Sequence, residues 1–411
     1  MKQILAPLWQ HPVARVVLVL SLFGVAMVYS AGSLQQPSPI VSGIWIRQAI
    51  FLAAGVLGFL FVCRVPTRWI EWSSAPIYIV GVALLAVTLV VGTGAGTAKG
   101  VSSFLAVGGF RFQPAEAAKV ATALGLAALL VRHSDPPKHL RELLAPAVVA
   151  GLPLVLVLLQ PDLGTALAFV GIFFAALVGA GAPWPLILLA ASPGAAFILA
   201  FSVRAWALYF ALLAIGVYLY RYRLYLVESV AVILANVAAG GAARALWRSL
   251  SDYQRNRLLV YLDPGMDPQN AGWQLIQSKV AVGSGGFFGQ GFTMGTQKRL
   301  AFLPEQHTDF IFSVVGEEFG FVGTSSVLLL FGYLFYKLIG VAEGSRSAFA
   351  GPFAFGVLGM WMTHVFVNVG MTVGVVPITG IPLPFISYGG SFLLVSWMAA
   401  AVVVALSTDS A

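Results

Sequence analysis

One acidic residue stands where a polar stretch of the sequence meets a long apolar run. Asp309 follows Glu305, His307 and Thr308, and an apolar run near 310–336 comes directly after it. A carboxylate at the mouth of a membrane span loses part of its hydration, which suits it to accept a proton or hold a cation. Asp or Thr before an apolar run is equally the usual signal for a helix N-cap. Spacing alone leaves both interpretations open.

Two further helix starts carry charged residues. Pro114 suits the first helical position, and Glu116 and Lys119, three apart, share a helix face and can form an ion pair. Opposite charges at membrane depth either hold a bundle together or line a polar cavity, and both roles fit this pair. Asp162 precedes another apolar run, where we expect it to cap the helix.

Glycine and proline shape two more segments. The glycine cluster at 283–291 lacks the βαβ context of a dinucleotide fingerprint and the ending of a P-loop. We expect its backbone to lie close to neighbouring helices or to dip into the membrane edge. The segment from Asn368 to Ser391 is dense in Gly and Pro, which predicts a fixed re-entrant turn. Asn368 and Tyr388 would supply its polar contacts.

Composition decides the broad class of protein. A chain of 411 residues with 59% hydrophobic and only 9% charged residues is a polytopic membrane protein rather than a soluble domain. Its net charge of +8 indicates loops that face anionic membrane lipids, and we expect no nucleic-acid partner. The single cysteine, Cys63, excludes an intrachain disulfide and metal-thiolate chemistry.

Apolar runs define the elements that must position these residues. About twelve runs are long enough to cross a bilayer, and the first is too long for the core of a signal peptide. They lie near 13–30, 44–63, 74–93, 114–132, 143–159, 163–181, 184–202, 205–220, 225–247, 310–336, 351–374 and 388–407. We therefore predict an all-α, polytopic membrane helix bundle that forms a single domain over 1–411, with a large extracytoplasmic loop at 247–308.

Basic residues in short loops predict the orientation of the bundle, because they mark the cytoplasmic side. They fall in alternate loops, which places both termini in the cytoplasm and the loop at 247–308 outside. These residues are Arg64, Arg68, Arg132, Lys138, Arg141, Arg221, Arg223, Lys337 and Arg346. The outer loop has basic residues of its own, which indicates an anionic partner there; the alternative is a solvated loop with scattered charges.

Several motifs together resemble the SEDS family, the shape, elongation, division and sporulation proteins. The similarity extends from roughly residue 100 to residue 391 and includes the segments around Glu116 and Asp162. Its motifs are Gly283-Ser284-Gly285-Gly286, Gly295-Thr296-Gln297, Phe302-Leu303-Pro304-Glu305, His307-Thr308-Asp309 and the run from Asn368 to Ser391. Gly-Thr-Gln before Phe-Leu-Pro-Glu, with Asp263-Pro264 and Asp267-Pro268, is more similar to the rod-shape branch than to the septal branch.

The resemblance implies a peptidoglycan glycosyltransferase that polymerises lipid II on the outer face of the bacterial cytoplasmic membrane, for cell elongation and rod shape. The essential aspartate of the family falls on Asp309, as the base that takes the proton of the acceptor's 4-hydroxyl. An α-linked donor that gives a β-1,4 product requires inversion, so one base suffices. The leaving group is undecaprenyl diphosphate, which fixed cations or a divalent cation would stabilise.

The resemblance and the charges together define the expected site, an outer hollow beside Asp309. The expected substrate-binding residues are Glu116, Lys119, Arg255, Arg257, Lys279, Gln297, Arg299, His307, Asn368, Tyr388 and Ser391. The sequence assigns no cofactor and leaves open whether a divalent cation binds, with Asp309 as its candidate ligand. A class B penicillin-binding protein, which supplies the transpeptidase, is the implied partner beside lipid II and membrane lipids.

Two alternatives and two departures accompany the resemblance. Intramembrane charges and a broken helix also fit a lipid II flippase, a transporter, and a third interpretation is a non-catalytic scaffold for a cell-wall synthase. Ser103 and Phe104 stand where family members usually have Arg and Trp. The chain also has room for about two helices beyond the family's usual ten, within 184–247.

Overall fold

The chain folds into a bundle of helices with one small hairpin. The computed structural model describes residues 2–36, 41, 43–94, 103–107, 110–132, 135–220, 226–249, 255, 259–261, 271–303 and 305–408. Ten helices come first: α1 (Lys2–Gln10), α2 (Pro12–Gly32), α3 (Ile44–Val62), α4 (Thr67–Val91), α5 (Pro114–Leu130), α6 (Leu144–Leu158), α7 (Leu163–Gly179), α8 (Trp184–Leu199), α9 (Val203–Tyr220) and α10 (Leu226–Ser249). Five follow: α11 (Ala271–Ser284), α12 (Thr296–Arg299), α13 (Ile311–Gly344), α14 (Ala350–Val373) and α15 (Gly390–Thr408).

Every predicted apolar run coincides with one of these helices, which confirms the all-α bundle. In the described part of the chain, seven helical stretches are long and apolar enough to cross a membrane: α2, α3, α4, Leu140–Leu158, α13, α14 and α15. Helices α7 to α10 are apolar but contribute shorter stretches. The total of about twelve spans, ten from the family and two added, stays a prediction.

Contacts between chain segments show which helix ends lie together. The Ser347 hydroxyl donates to the Glu71 carboxylate over 3.0 Å, which joins the end of α13 to the start of α4. The Ser407 hydroxyl lies 3.0 Å from His11 Nε2, which joins the end of α15 to the start of α2. The end of the bundle with these contacts also has the loops near Arg68 and Arg346, which are among those predicted to be cytoplasmic. We call it the basic end.

Helix α14 lies at the centre of the bundle and packs against α5, α7, α11, α13 and α15. Its contact with α7 is close because glycines face each other. A Cβ on Gly359 would lie 2.3 Å from the Gly171 carbonyl oxygen, and one on Gly179 would lie 2.5 Å from the Gly351 oxygen. Small residues let helix backbones approach where hydrocarbon supplies little other driving force. These glycine contacts thereby fix the central helix against α7.

The segment predicted as a large loop at 247–308 contains the helices α11 and α12, which the sequence did not predict. Helix α11 buries Leu275, Ser278 and Ala281, and it packs against α13 and α14. Ile276 and Val280 on its opposite face are exposed. Apolar residues on both faces hide the helical period, which is why the pattern did not indicate a helix.

A second unpredicted element lies between α4 and α5. Strands β1 (Leu105–Val107) and β2 (Phe110–Phe112) pair antiparallel as a hairpin. Just before it, Phe104 pairs with Thr93, whose N–H donates to the Phe104 carbonyl over 2.8 Å. Ser103 beside it is buried. Of the two residues that depart from the family motif, Phe104 is therefore bridged to Thr93 next to the hairpin, and Ser103 is buried beside it.

Helix α13 is not continuous, although its sequence predicts one run. Gly320 has φ +62° and ψ −156°, a conformation open to glycine, and the helix breaks there. Four backbone hydrogen bonds join the break to the glycine cluster: Gln290 N–H to Glu317 O, Gly291 N–H to Glu318 O, Phe321 N–H to Gly286 O and Val322 N–H to Phe287 O. The expectation that the glycine cluster lies close to another backbone is confirmed.

Helices α8, α9 and α10, which contain the region predicted to be additional to the family, pack on one another. The Tyr209 hydroxyl donates to the Ser192 carbonyl over 2.7 Å, and the Asn236 amide donates to the Ser192 hydroxyl over 2.8 Å. Buried polar contacts of this kind fix helix positions inside a membrane.

The glycine contact of α14 can be tested by one methyl group. Gly359→Ala should lower the free energy of unfolding by about 1–3 kcal/mol, because the methyl group would enter occupied space. The control is Gly332→Ala in α13, where no atom lies within 4 Å of the added carbon. Thermal unfolding in detergent measures both variants, and equal melting temperatures would contradict the close approach.

Candidate active site

Asp309 lies in a tight turn that precedes α13. The carbonyl oxygen of Glu305 accepts the N–H groups of Thr308 and Asp309, each over 3.1 Å. The N-cap of α13 is Phe310, and it forms no side-chain cap hydrogen bond. The N-cap position that the sequence suggested for Asp309 or Thr308 is thus held by Phe310, and the Glu305 carbonyl organises the turn before it.

Helix α14 and the segment that follows it hold this turn through three successive carbonyl groups. Tyr388 N–H donates to His307 O over 2.8 Å, Ser387 Oγ donates to Thr308 O over 2.5 Å and Asn368 Nδ2 donates to Asp309 O over 2.8 Å. The main chain of the whole His-Thr-Asp motif is thereby fixed. Asn368 and the Tyr388 N–H thus fix the turn predicted between α14 and α15, whose residues 374–389 we call the re-entrant segment.

The Asp309 carboxylate lies against the re-entrant segment itself. A Cβ on Gly380 would lie 3.2 Å from Asp309 Oδ2, and Gly380 has φ +75°. Asn368 Nδ2 also donates to the carbonyl of Ile381 over 2.7 Å. A single amide thus bonds both the turn that carries Asp309 and the segment that lies against its carboxylate. Asp309 is partly exposed, so it remains open to a reactant.

A chain of buried polar groups approaches the same segment from inside the bundle. Glu116 Oε2 lies 2.7 Å from Lys119 Nζ, which confirms the predicted ion pair. Lys119 Nζ also lies 2.7 Å from His364 Nε2 and 4.7 Å from the centre of the Phe392 ring. His364 Nδ1 lies 2.9 Å from the Pro382 carbonyl oxygen. Sequence reasoning missed His364, although a titratable residue inside an apolar run is itself a signal.

The burial of Glu116 and Lys119 changes their expected role. They are 2% and 0% exposed, so neither lines a hollow open to solvent. A surface cavity of about 430 Å³ lies elsewhere, next to the start of α6, where Arg132, Lys138 and Glu142 are among its lining residues. The Glu116–Lys119 pair therefore lies inside the bundle and contacts the site only through other buried residues, instead of lining a solvent-filled hollow.

Lys279 is the predicted cation whose helix, α11, is bonded to both α13 and α14. Its neighbour Ser278 shares a hydrogen bond of 2.7 Å with Ser313 and donates to the Thr372 carbonyl over 2.7 Å, so α11 is tied to α13 and α14. Ser313 lies one helical turn after Asp309. The Lys279 side chain is exposed and passes over Gly374, at the end of α14.

The other basic candidates differ from one another. Arg299 is exposed, and its carbonyl accepts the Gln35 N–H over 2.9 Å. The Arg255 guanidinium donates to the carbonyls of Trp247 over 2.9 Å and Arg248 over 2.5 Å, near the end of α10. Arg255 thus binds the C-terminal carbonyls of a helix, which are common partners for a basic side chain.

The remaining predicted residues have mixed positions. Gln297 contributes its N–H to the Glu317 carboxylate over 2.6 Å, and Ser391 lies partly buried in the first turn of α15. Among the described residues, no group of three or more His, Cys, Asp or Glu side chains could hold a metal ion, so no metal ligand is assigned. Residues singled out above that lie outside the described part are Gly100, Val101, Ser102, Arg221, Arg223, Arg257, Asp263, Pro264, Asp267, Pro268 and Pro304.

A buried ion pair that the sequence did not predict anchors the segment predicted to be extracytoplasmic, for which we keep the name outer loop. Lys298 Nζ lies 2.8 Å from Glu318 Oε1 and donates to the carbonyl and hydroxyl oxygens of Ser30, each over 2.7 Å. The neighbouring Glu317 carboxylate accepts the N–H groups of Gln297 and Lys298. Two adjacent carboxylates inside an apolar run were the available signal, because each requires a partner there.

This ion pair should dominate the stability of the outer loop. Lys298→Met should cost about 3–5 kcal/mol, since it leaves the Glu318 carboxylate buried without its cation. The double variant Lys298→Met/Glu318→Leu should recover much of that loss. Arg299→Met is the control, because the Arg299 side chain is exposed. Thermal unfolding measures the stability of all three variants. A double variant no more stable than Lys298→Met would show that the unpaired Glu318 carboxylate is not the cause of the loss.

His307 predicts a pH dependence of stability. Burial lowers the pKa of His307 below its ordinary 6.5, while the charge of Glu305, 3.9 Å away, opposes this effect. The unfolded chain therefore binds a proton at a higher pH than the folded chain, so stability is lost as the pH falls through and below 6.5. From about pH 7.5 to about pH 5.5, the wild type should lose more melting temperature than His307→Gln. Equal losses would contradict this assignment.

Curated relatives are similar over nearly the whole chain. The peptidoglycan glycosyltransferase RodA of Treponema pallidum is 33% identical in an alignment 421 residues long that covers 95% of each chain. The peptidoglycan glycosyltransferase MrdB of Escherichia coli K12 is 36% identical and covers 93% of this chain and 90% of its own. A probable peptidoglycan glycosyltransferase FtsW of a Geobacter species, strain M18, is 34% identical over 95% of this chain and 94% of its own.

Solved structures share the fold. A chain from a peptidoglycan synthase complex that coordinates polymerization and crosslinking superimposes with a TM-score of 0.70 at 28% identity, over 97% of both chains. The rod shape determining protein RodA of Thermus thermophilus gives a TM-score of 0.63 at 25% identity, over 97% of this chain and 96% of its own. The family model described as cell cycle protein, for FtsW, RodA and SpoVE, matches residues 10–223 and 207–411. The chain is a multi-pass membrane protein that belongs to this SEDS family.

Proposed function

We propose that this protein is a peptidoglycan glycosyltransferase that polymerises lipid II into β-1,4 glycan strands by inverting transfer, for cell elongation and rod shape. The observation that carries the proposal is the fixed position of Asp309. Its turn is bonded at three successive carbonyls, while its side chain is partly exposed at an end of the bundle. Relatives at 33% and 36% identity are named peptidoglycan glycosyltransferases, which supports the same reaction here.

Asp309 acts as the general base. The acceptor's 4-hydroxyl gives its proton to the carboxylate as its oxygen attacks the anomeric carbon of the donor, and the bond to the diphosphate breaks on the opposite face. One displacement inverts the α-linked donor to a β-linked product, so no covalent carboxylate intermediate forms. A base held rigidly within hydrogen-bond reach is what such a step requires.

The departing diphosphate needs positive charge, and Lys279 and Arg299 are the cations that suit this role. Both are exposed. Lys279 is the stronger candidate, since its neighbour Ser278 ties α11 to α13 one turn beyond Asp309. A cation fixed near the developing charge stabilises the transition state without reorganisation. Arg255 is the weaker candidate, because its guanidinium already bonds the carbonyls at the end of α10.

We assign the protein to the bacterial cytoplasmic membrane, with both termini in the cytoplasm and Asp309 on the outer side. The basic end joins the start of α2 to the end of α15, and basic residues in short loops favour the cytoplasm. A class B penicillin-binding protein, which crosslinks the strands, is the proposed partner. The similarity to a chain of a peptidoglycan synthase complex supports that pairing.

The reaction is tested with purified protein and lipid II. Wild type should yield glycan polymer and Asp309→Asn none, at an unchanged melting temperature, because the amide cannot accept the proton. Asp135→Asn is the matched control, since this exposed carboxylate is paired with Lys138 far from α13 in the sequence. Polymer from Asp309→Asn would remove Asp309 from its role. Lipid movement without polymer would indicate a flippase. The absence of both activities would indicate a non-catalytic scaffold.

A further inference from the structure

His364 lies in the buried chain beneath Asp309, and the proposed reaction does not use it. It is 1% exposed and stands on α14, one helical turn before Asn368. Its two ring nitrogens contact different elements: Nδ1 faces the Pro382 carbonyl oxygen and Nε2 faces Lys119 Nζ. A carbonyl can only accept, so Nδ1 carries the proton and Nε2 accepts from the ammonium group. Both neighbours therefore select one neutral tautomer.

The same face of α14 binds two adjacent carbonyls of the re-entrant segment. Asn368 donates to Ile381 O over 2.7 Å and His364 bonds Pro382 O at 2.9 Å. The next residue towards α14 along that segment is Gly380, whose backbone lies against the Asp309 carboxylate. A shift of the Pro382 carbonyl would therefore move the surface that Asp309 contacts.

We propose that His364 is a positioning residue: oriented by Lys119, it fixes the Pro382 carbonyl and so holds the Gly380 backbone against the Asp309 carboxylate. This inference rests on the proposed function, because it assigns a purpose to the exact placement of the base. Lys119 in turn is held by Glu116 at 2.7 Å. Both residues lie on α5, so their ion pair does not by itself join two helices, and apolar residues of similar volume often stabilise a buried position as well. A role in orienting His364 accounts for the pair.

Two substitutions at His364 separate its two contacts. The amide nitrogen of Asn reaches about as far as Nδ1, whereas the amide of Gln reaches about as far as Nε2. His364→Asn thus keeps the bond to Pro382 and loses Lys119, which retains Glu116 and the Phe392 ring. His364→Gln keeps Lys119 and loses Pro382. A merely structural role in satisfying the buried ammonium predicts that Gln is the better replacement, and positioning predicts Asn.

The variants are compared by steady-state polymerisation of lipid II and by hydrogen exchange of peptides across 381–389. His364→Asn should keep kcat within about threefold of wild type, while His364→Gln should lose about 10- to 100-fold in kcat at nearly unchanged KM, as expected for a misplaced base. Backbone amides that report the segment are those of Leu383, Tyr388 and Gly389. They should exchange faster in His364→Gln and at the wild-type rate in His364→Asn.

The control is Asn236→Leu, which removes buried hydrogen bonds in the α8–α10 group. It should lower the melting temperature without altering kcat or exchange at 381–389. If His364→Gln cannot be recovered folded, the double variant Glu116→Gln/Lys119→Met removes both charges together and should produce the same faster exchange. Equal behaviour of the Asn and Gln variants, or a better Gln variant, overturns the proposal.

The two assays distinguish this inference from the proposed function. If wild type makes no polymer, the glycosyltransferase proposal fails, yet the exchange of residues 381–389 still decides whether His364 positions the segment. If wild type is active, Asp309→Asn is inactive and both His364 variants match wild type, only the positioning role fails.

Discussion

The peptide groups between α14 and α15 have no helix to satisfy them, yet they lie within a bundle that spans a membrane. Hydrocarbon offers no hydrogen-bond partners, so irregular backbone there must be bonded by protein. Asn368, Ser387 and Gln48 supply these bonds. Gln48 bonds the Ser387 carbonyl and the Gly389 N–H, while Ser387 bonds the Leu383 N–H and the Thr308 carbonyl. The rigidity of the turn that carries Asp309 follows from this requirement.

Two buried ion pairs also fix the positions of chain segments. Lys298 with Glu318 joins the outer loop to α2 and α13, and Lys119 with Glu116 joins α5 to α14 through His364. Each ammonium group has neutral acceptors in addition to its carboxylate, which offsets the cost of removing both charges from water. The two pairs therefore specify where segments lie more than they add to stability.

Glycine residues fix positions in a different way, because they let two backbones lie in close contact. The break at Gly320 lets the glycine cluster bond the carbonyls of Glu317 and Glu318, and this directs both carboxylates toward the outer loop. Gly171 and Gly359 bring α7 and α14 into close contact and so set the position of the central helix. Asp309, His364 and Asn368 thus belong to elements whose separation is set by residues without side chains.

Sequence alone determined the membrane class, the positions of the helices in the twelve apolar runs, the Glu116–Lys119 pair and the capping role of Asp162. These follow from local properties: apolar length, spacing of three along a helix, and turn chemistry. The Asp162 carboxylate indeed accepts the Thr165 N–H over 3.0 Å.

Only the tertiary structure decided that Phe310 is the N-cap of α13, that Lys119 is buried, that Lys298 pairs with Glu318 and that His364 contacts Pro382. Residues that contact each other in this way are not neighbours in the sequence. His364, for example, lies 245 residues from its partner Lys119. Helical periodicity shows which face of a helix is apolar, but not which distant segment will meet it. That choice is made by packing, where glycine contacts and buried charges favour the arrangement in which these polar groups bond one another.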